Sequence, residues 1–191
     1  PETHVLRRPL AVKAIALDYR RLLEQPRFVA FMLGGACSST ALYPYLATSS
    51  YIVHEQLGLP ISDVGWFAAS TIVGASLGTL ATRRLAGRLP NAYFLYAGAG
   101  LGLAMATLLL LVQLMGWLTA PWLLAITITM TFGAGLASPA ALSSALSCTP
   151  GLVGAAAGLY GFGQMAMGAI GTQLVGYGSV PAVACAVTQM C

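Results

Sequence analysis

Residues 91–115 read NAYFLYAGAGLGLAMATLLLLVQLM, an apolar run without a charged side chain. A helix rises 1.5 Å per residue, and about 20 mostly apolar residues cross the hydrocarbon core of a bilayer. Leu108 to Val112 is apolar without interruption, whereas strands of a membrane barrel alternate apolar and polar over about ten residues. The stretch therefore predicts a transmembrane α-helix.

Outward from this run the pattern repeats. Phe28–Val53 and Val64–Thr82 precede it, the second stopped by Arg83 and Arg84; Trp122–Ser147 and Leu152–Val175 follow. Gly116, Thr119 and Pro121 separate one pair of runs, and Thr149-Pro150-Gly151 is a turn signal for the next. Beyond Gly176, Gly178 and Pro181, Ala182–Cys191 begins a sixth run. The expected fold class is an all-α membrane protein with five full transmembrane helices and a truncated sixth. Residues 1–27 form a cytoplasmic linker and residues 28–191 the transmembrane bundle. The start at Pro1 and the stop inside an apolar run at Cys191 read as the cut ends of a longer protein.

Charge supports this division. Only 7% of residues are charged, against about 25% in soluble domains. All nine Lys and Arg and all five Asp and Glu lie at or before Arg88, so residues 89–191 carry no charge. Water would not solvate such a surface; the lipid bilayer does. The net charge of +4 does not imply nucleic acid, because the basic residues flank apolar runs and form no stripe with interleaved aromatics. Arg7, Arg8, Lys13, Arg20, Arg21 and Arg27 precede the first span, and Arg83, Arg84 and Arg88 occupy the second loop. The first loop, His54 to Asp63, has two acids and no Lys or Arg. By the positive-inside rule the N-terminal segment and the Arg83 loop are cytoplasmic. Trp66, Trp117 and Trp122 fall near span ends, as interfacial rings should. Residues 9–27 suit an amphipathic helix along the membrane surface, with Arg20 and Glu24 paired at i,i+4.

No chemistry of an enzyme is legible. No Gly-rich phosphate loop with Lys occurs, and His54 has no Gly-x-Ser-x-Gly partner sequence. Cys37, Cys148, Cys185 and Cys191 form no Cys-x-x-Cys pair, and His4 and His54 lie far from them in sequence. They read as small packing residues, and no metal or cofactor is expected. No span holds an ionisable Asp, Glu, Lys, Arg or His, the usual mark of an intramembrane site. What remains is uncharged polarity. Ser38, Tyr45 and Ser49 recur on one face of the first span, Thr127 and Thr131 lie a turn apart on the fourth, and Tyr160 and Gln164 a turn apart on the fifth. Backbone satisfaction and helix-to-helix bonds of about 0.6 to 2 kcal/mol explain such residues equally well. Gln164 is the sharpest case, because an amide facing lipid would be unsatisfied. Pro44 and Pro139 sit inside spans and free the carbonyls of Thr40 and Gly135; both are candidate kinks, with Thr40 and Ser138 as nearby hydroxyls. Gly74/Gly78, Gly98/Gly102 and Gly154/Gly158 are small-x-x-x-small pairs for close helix approach.

These residues resemble a known family. Pro1-Glu2-Thr3, the basic linker, Leu22-Leu23 and Arg27-Phe28 are similar to the central loop of major facilitator transporters. Tyr43-Pro-Tyr-Leu-Ala-Thr-Ser-Ser-Tyr51 resembles the seventh-helix segment Phe-x-Tyr-Ile-x-x-Ser-Pro-Phe of the bicyclomycin and chloramphenicol resistance branch of drug:proton antiporters. Tyr45 and Ser49 match, and Ser50 stands where that branch has proline. Gly78-x-Leu80 with Arg83, Arg84 and Arg88 is similar to the family's cytoplasmic loop motif, with Thr82 at its aspartate position. Gly133-x-Gly135 with Pro139, and Gly158 through Gln164 to Gly168-Ala169, resemble the tenth and eleventh helices.

The resemblance implies the C-terminal half of a secondary transporter, in its leading form a multidrug exporter of the bacterial inner membrane driven by proton antiport. Its partner is a missing N-terminal six-helix half that carries the coupling acid, and its substrate is small and amphipathic. A non-transporting membrane subunit or truncated product is one alternative; a metabolite or sugar porter of the same superfamily is another. Tyr45 and Gln164 are expected to face the substrate cavity.

Overall fold

A computed structural model describes residues 12–40 and 42–176. Residues 1–11 of the linker and the sixth run, Ala182 to Cys191, lie outside the described residues. Within them the chain is helical, with no named strand, only an isolated bridge between Ala86 and Leu89.

The elements are α1 (Val12–Leu23), α2 (Pro26–Thr40), α3 (Leu42–Tyr51), α4 (Val64–Leu85), α5 (Asn91–Leu114), α6 (Ala120–Ser147) and α7 (Val153–Gly176). A π-helical turn, Ile52–Gln56, extends α3, and a 3₁₀ turn, Ile61–Asp63, leads into α4. Among the described residues three helices are long and apolar enough to cross a membrane: Ile61–Leu85, Asn91–Leu114 and Ala120–Ser147. The 24 residues of α5 rise about 36 Å, more than the roughly 30 Å of a bilayer core.

The first expected span, 28–53, corresponds to α2, α3 and the π-helical turn, described over Pro26–Thr40, Leu42–Tyr51 and Ile52–Gln56. The fifth corresponds to α7, as long as α5 but diluted by glycines and two glutamines. Helix ends follow local chemistry. Prolines precede or open α5 and α6, where a missing N–H costs nothing. Past α5, Gly116 adopts φ +69°, and its N–H donates to the Gln113 carbonyl while that of Trp117 donates to Val112, the paired closure that a left-handed glycine permits.

Helix α6 is the hub. It packs against α4, α5 and α2, and 50% of its most apolar stretch is buried, against 22% for α4 and for α5. Close approach comes from missing side chains. A Cβ at Gly74 would strike Thr131 and the Ile128 carbonyl, one at Gly78 the Phe132 carbonyl, and one at Gly98 the Gly133 carbonyl and Ala137. Gly102 sits against Gly133 only through its backbone, and Gly154 has nothing near it. The buried side chains gather in two clusters. One joins Tyr45, Ile52, Val53, Phe67, Leu109, Leu123 and Ile126. The other joins Leu22, Phe28, Met32, Ala141, Ala145, Ala156 and Tyr160. The first joins α3 and its π-turn and the later part of α5 to the starts of α4 and α6; the second joins the end of α1 and the starts of α2 and α7 to the end of α6. They occupy opposite ends of an antiparallel bundle.

Candidate functional site

The polar residues singled out by sequence separate into these two ends. Tyr45 is only 2% exposed, inside the cluster with Phe67, Leu123 and Ile126. Ser49 is buried as well, its hydroxyl donating to the Leu46 carbonyl at 2.8 Å. Ser38 is half-buried and donates to Gly34 at 2.8 Å. Both serines satisfy their own helix. Tyr160 is buried in the opposite cluster, its phenol against Gly35 and beside Ser138. Gln164, a turn further along α7, is half-buried. The structure therefore does not bring Tyr45 and Tyr160 to one place; each anchors a different end of the bundle. Thr127 and Thr131 are buried too, and Thr131 donates to the Thr127 carbonyl at 2.9 Å.

The two prolines behave differently. Pro44 is buried and lies against Gly171 of α7. Pro139 lies inside α6, which continues unbroken to Ser147. The carbonyl it frees, Gly135, accepts a bond at 3.4 Å from Thr79 of α4, not from Ser138. Thr82 of α4 donates to the next carbonyl, Leu136, at 3.2 Å. A hydroxyl from the neighbouring helix thus takes the place of the N–H that proline lacks. Arg83, Arg84 and Arg88 are exposed at the end of α4 and in the following turn. Arg83 closes one end of a groove of about 480 Å³ that runs past Thr71, Ala75, Ser76 and Thr79.

The exposed faces differ in chemistry. On α4 they carry Ile72, Val73 and Leu77 beside Ser76 and Thr79, and on α5 Leu103 and Leu111. Where α3 meets α7 they carry Tyr43, Phe162 and Met165, and the Tyr43 hydroxyl lies 3.7 Å from the Met165 sulfur. Sequence reasoning passed over Phe162 and Met165 because both read as ordinary apolar residues. Their i,i+3 spacing and the aromatic at 43 were the available signals.

A helical bundle with long apolar helices, charged only at their ends and in the turns, is a multi-pass membrane protein. A Major Facilitator Superfamily profile matches residues 2–172, and the chain belongs to that superfamily, whose members are transporters. The chain is 31% identical over 144 residues to the multidrug transporter MdfA of Edwardsiella ictaluri (strain 93-146), an alignment covering 72% of this chain and 34% of that protein. It spans about a third of that relative's length.

Proposed function

We propose that this chain is the C-terminal half of a proton-coupled multidrug exporter of the bacterial inner membrane. The observation that carries the reading is the absence of charge from every apolar run of a superfamily member. Uncharged walls bind weakly polar, amphipathic compounds by stacking and hydrogen bonding. The 31% identity to a multidrug transporter supports the same substrate class. In this reading residues 1–27 are a cytoplasmic linker, residues 28–191 supply five spans and part of a sixth, and a second six-helix bundle completes the pathway. Sites in such transporters lie between two repeats near the bilayer midplane. The coupling acid therefore belongs to the other bundle. Gln164 remains a candidate pathway residue, since it is half-buried at mid-span. Tyr45 and Tyr160 serve as packing anchors, each 2% exposed.

The test is ethidium efflux from cells expressing the complete transporter that contains this chain. Efflux above vector controls, abolished by a protonophore, is the expected result; these 191 residues expressed alone should give none. Absence of efflux from the complete protein, or uptake of a sugar in its place, overturns the reading.

A further inference from the structure

We infer that Tyr43, Phe162 and Met165 form the substrate-contacting wall of this half and set its preference for flat aromatic compounds, an inference that rests on the exporter reading above. Phe162 is 70% and Met165 61% exposed, and Tyr43 stands at the edge of exposure with its hydroxyl against the Met165 sulfur. Packing holds the group in place. The Tyr43 ring fits the notch left by Gly168, Pro44 fits that of Gly171, and Met32 fits that of Gly163. Tyr43 is therefore pinned along one ring edge, while its hydroxyl end reaches the outer surface of α7.

Chemistry distinguishes this face from those turned to lipid. Beyond Tyr96 the exposed positions of α5 are small or aliphatic, Ala99, Leu103, Ala104 and Leu111 among them. A lipid tail needs nothing else from a protein. The α3–α7 face instead presents a phenol, a phenyl ring and a thioether, and Gln173 continues the Phe162–Met165–Ala169 stripe on α7. A phenol and a primary amide on a lipid-facing stripe would leave donors without good acceptors. Methionine is polarizable and adapts to differently shaped partners, which suits promiscuous surfaces. A planar ring entering here meets two aromatic faces and a sulfur that moves to fit it.

The experiment uses the complete transporter with its native cysteines replaced. In the Met165→Cys variant a charged, hydrophilic thiol reagent should label residue 165, and ethidium should slow that labelling. The Leu111→Cys variant on the aliphatic face should stay unlabelled. In the purified protein, Met165→Leu should weaken ethidium binding by roughly two- to tenfold, the range that sulfur–aromatic contacts span, with unchanged membrane expression. Tyr43→Phe should weaken it in the same direction. If the parent binds and exports ethidium but residue 165 is as unreactive as residue 111, or is labelled without protection, this inference fails while the exporter reading stands. Unchanged binding in the Met165→Leu variant has the same consequence. If the parent neither binds nor exports ethidium, both fall.

Discussion

Gly135 of α6 leaves no room for a side chain, because a Cβ there would run into the Ala75 carbonyl and the Thr79 backbone nitrogen of α4. Backbone cannot turn aside as a rotamer can. Gly135→Val should therefore force α4 and α6 apart and destabilise the bundle by about 1–3 kcal/mol, read as a lower unfolding midpoint in detergent. Gly154 of α7 has open space around it, so Gly154→Ala should leave that midpoint unchanged or raise it, since alanine is the better helix former by roughly 0.5–1 kcal/mol. Equal losses from the two substitutions would contradict this account of the packing. In sequence the three glycine pairs are indistinguishable. The pair at 74 and 78 is wholly engaged against α6, while the pair at 98 and 102 is engaged mainly through Gly98. Gly154 faces open space, and Gly158 meets only the Tyr19 hydroxyl at a distance. Spacing marks where close approach is possible; only a neighbour makes it happen.

Among elements, the α4–α6 crossing shows how a proline is accommodated within an apolar helix. Pro139 deprives the Gly135 carbonyl of its donor, and Thr79 of α4 supplies one. Thr79→Val should cost about 0.6 kcal/mol, the average for such bonds between membrane helices. In a Pro139→Ala background residue 139 regains its N–H, so the same Thr79→Val change should cost less. A double-mutant cycle on the unfolding midpoint measures the difference, and an equal cost in both backgrounds would show that the hydroxyl and the proline are independent. Sequence located the freed carbonyl, but the hydroxyls it put forward were those near in the chain. The donor lies 56 residues away, a proximity created by helix packing. In the same way, the sequence offers Pro44 only as a candidate kink, and its seat against Gly171 of α7 emerges only from the fold.

For the whole molecule, the two buried clusters put the π-turn and the loop after α5 at one end, and the start of α2 and the Arg83–Arg88 segment at the other. Among the described residues Lys13, Arg20, Arg21, Arg27, Arg83, Arg84 and Arg88 belong to the second end, and the first has no Lys or Arg. That asymmetry predicts that single cysteines replacing Lys13 and Arg88 react with an impermeant thiol reagent from the cytoplasm, and one replacing Glu55 from outside. Labelling of position 55 only from the cytoplasm would reverse the assigned orientation. The magnitude behind the expectation is an insertion penalty of about 2.5–3.5 kcal/mol for a charged residue at a helix centre, which keeps each Arg on the side where it begins.

The sequence by itself determined that this chain is helical, that it lives in a bilayer, and to which superfamily it belongs. Those properties follow from the length of apolar runs, the positions of charges and short motifs, all local quantities that no neighbour alters. Tertiary structure decided which polar residues are available. Tyr45 and Tyr160 are polar at mid-chain positions, yet both are buried at opposite ends of the bundle, because the faces carrying them turn towards α6. Phe162 and Met165 are apolar in sequence, yet they stand exposed beside Tyr43. A side chain's polarity is its own, but the face it presents depends on how α3 and α7 rotate to seat Tyr43 and Pro44 on glycines. That rotation is set by steric fit between elements distant in the chain, which periodicity does not encode.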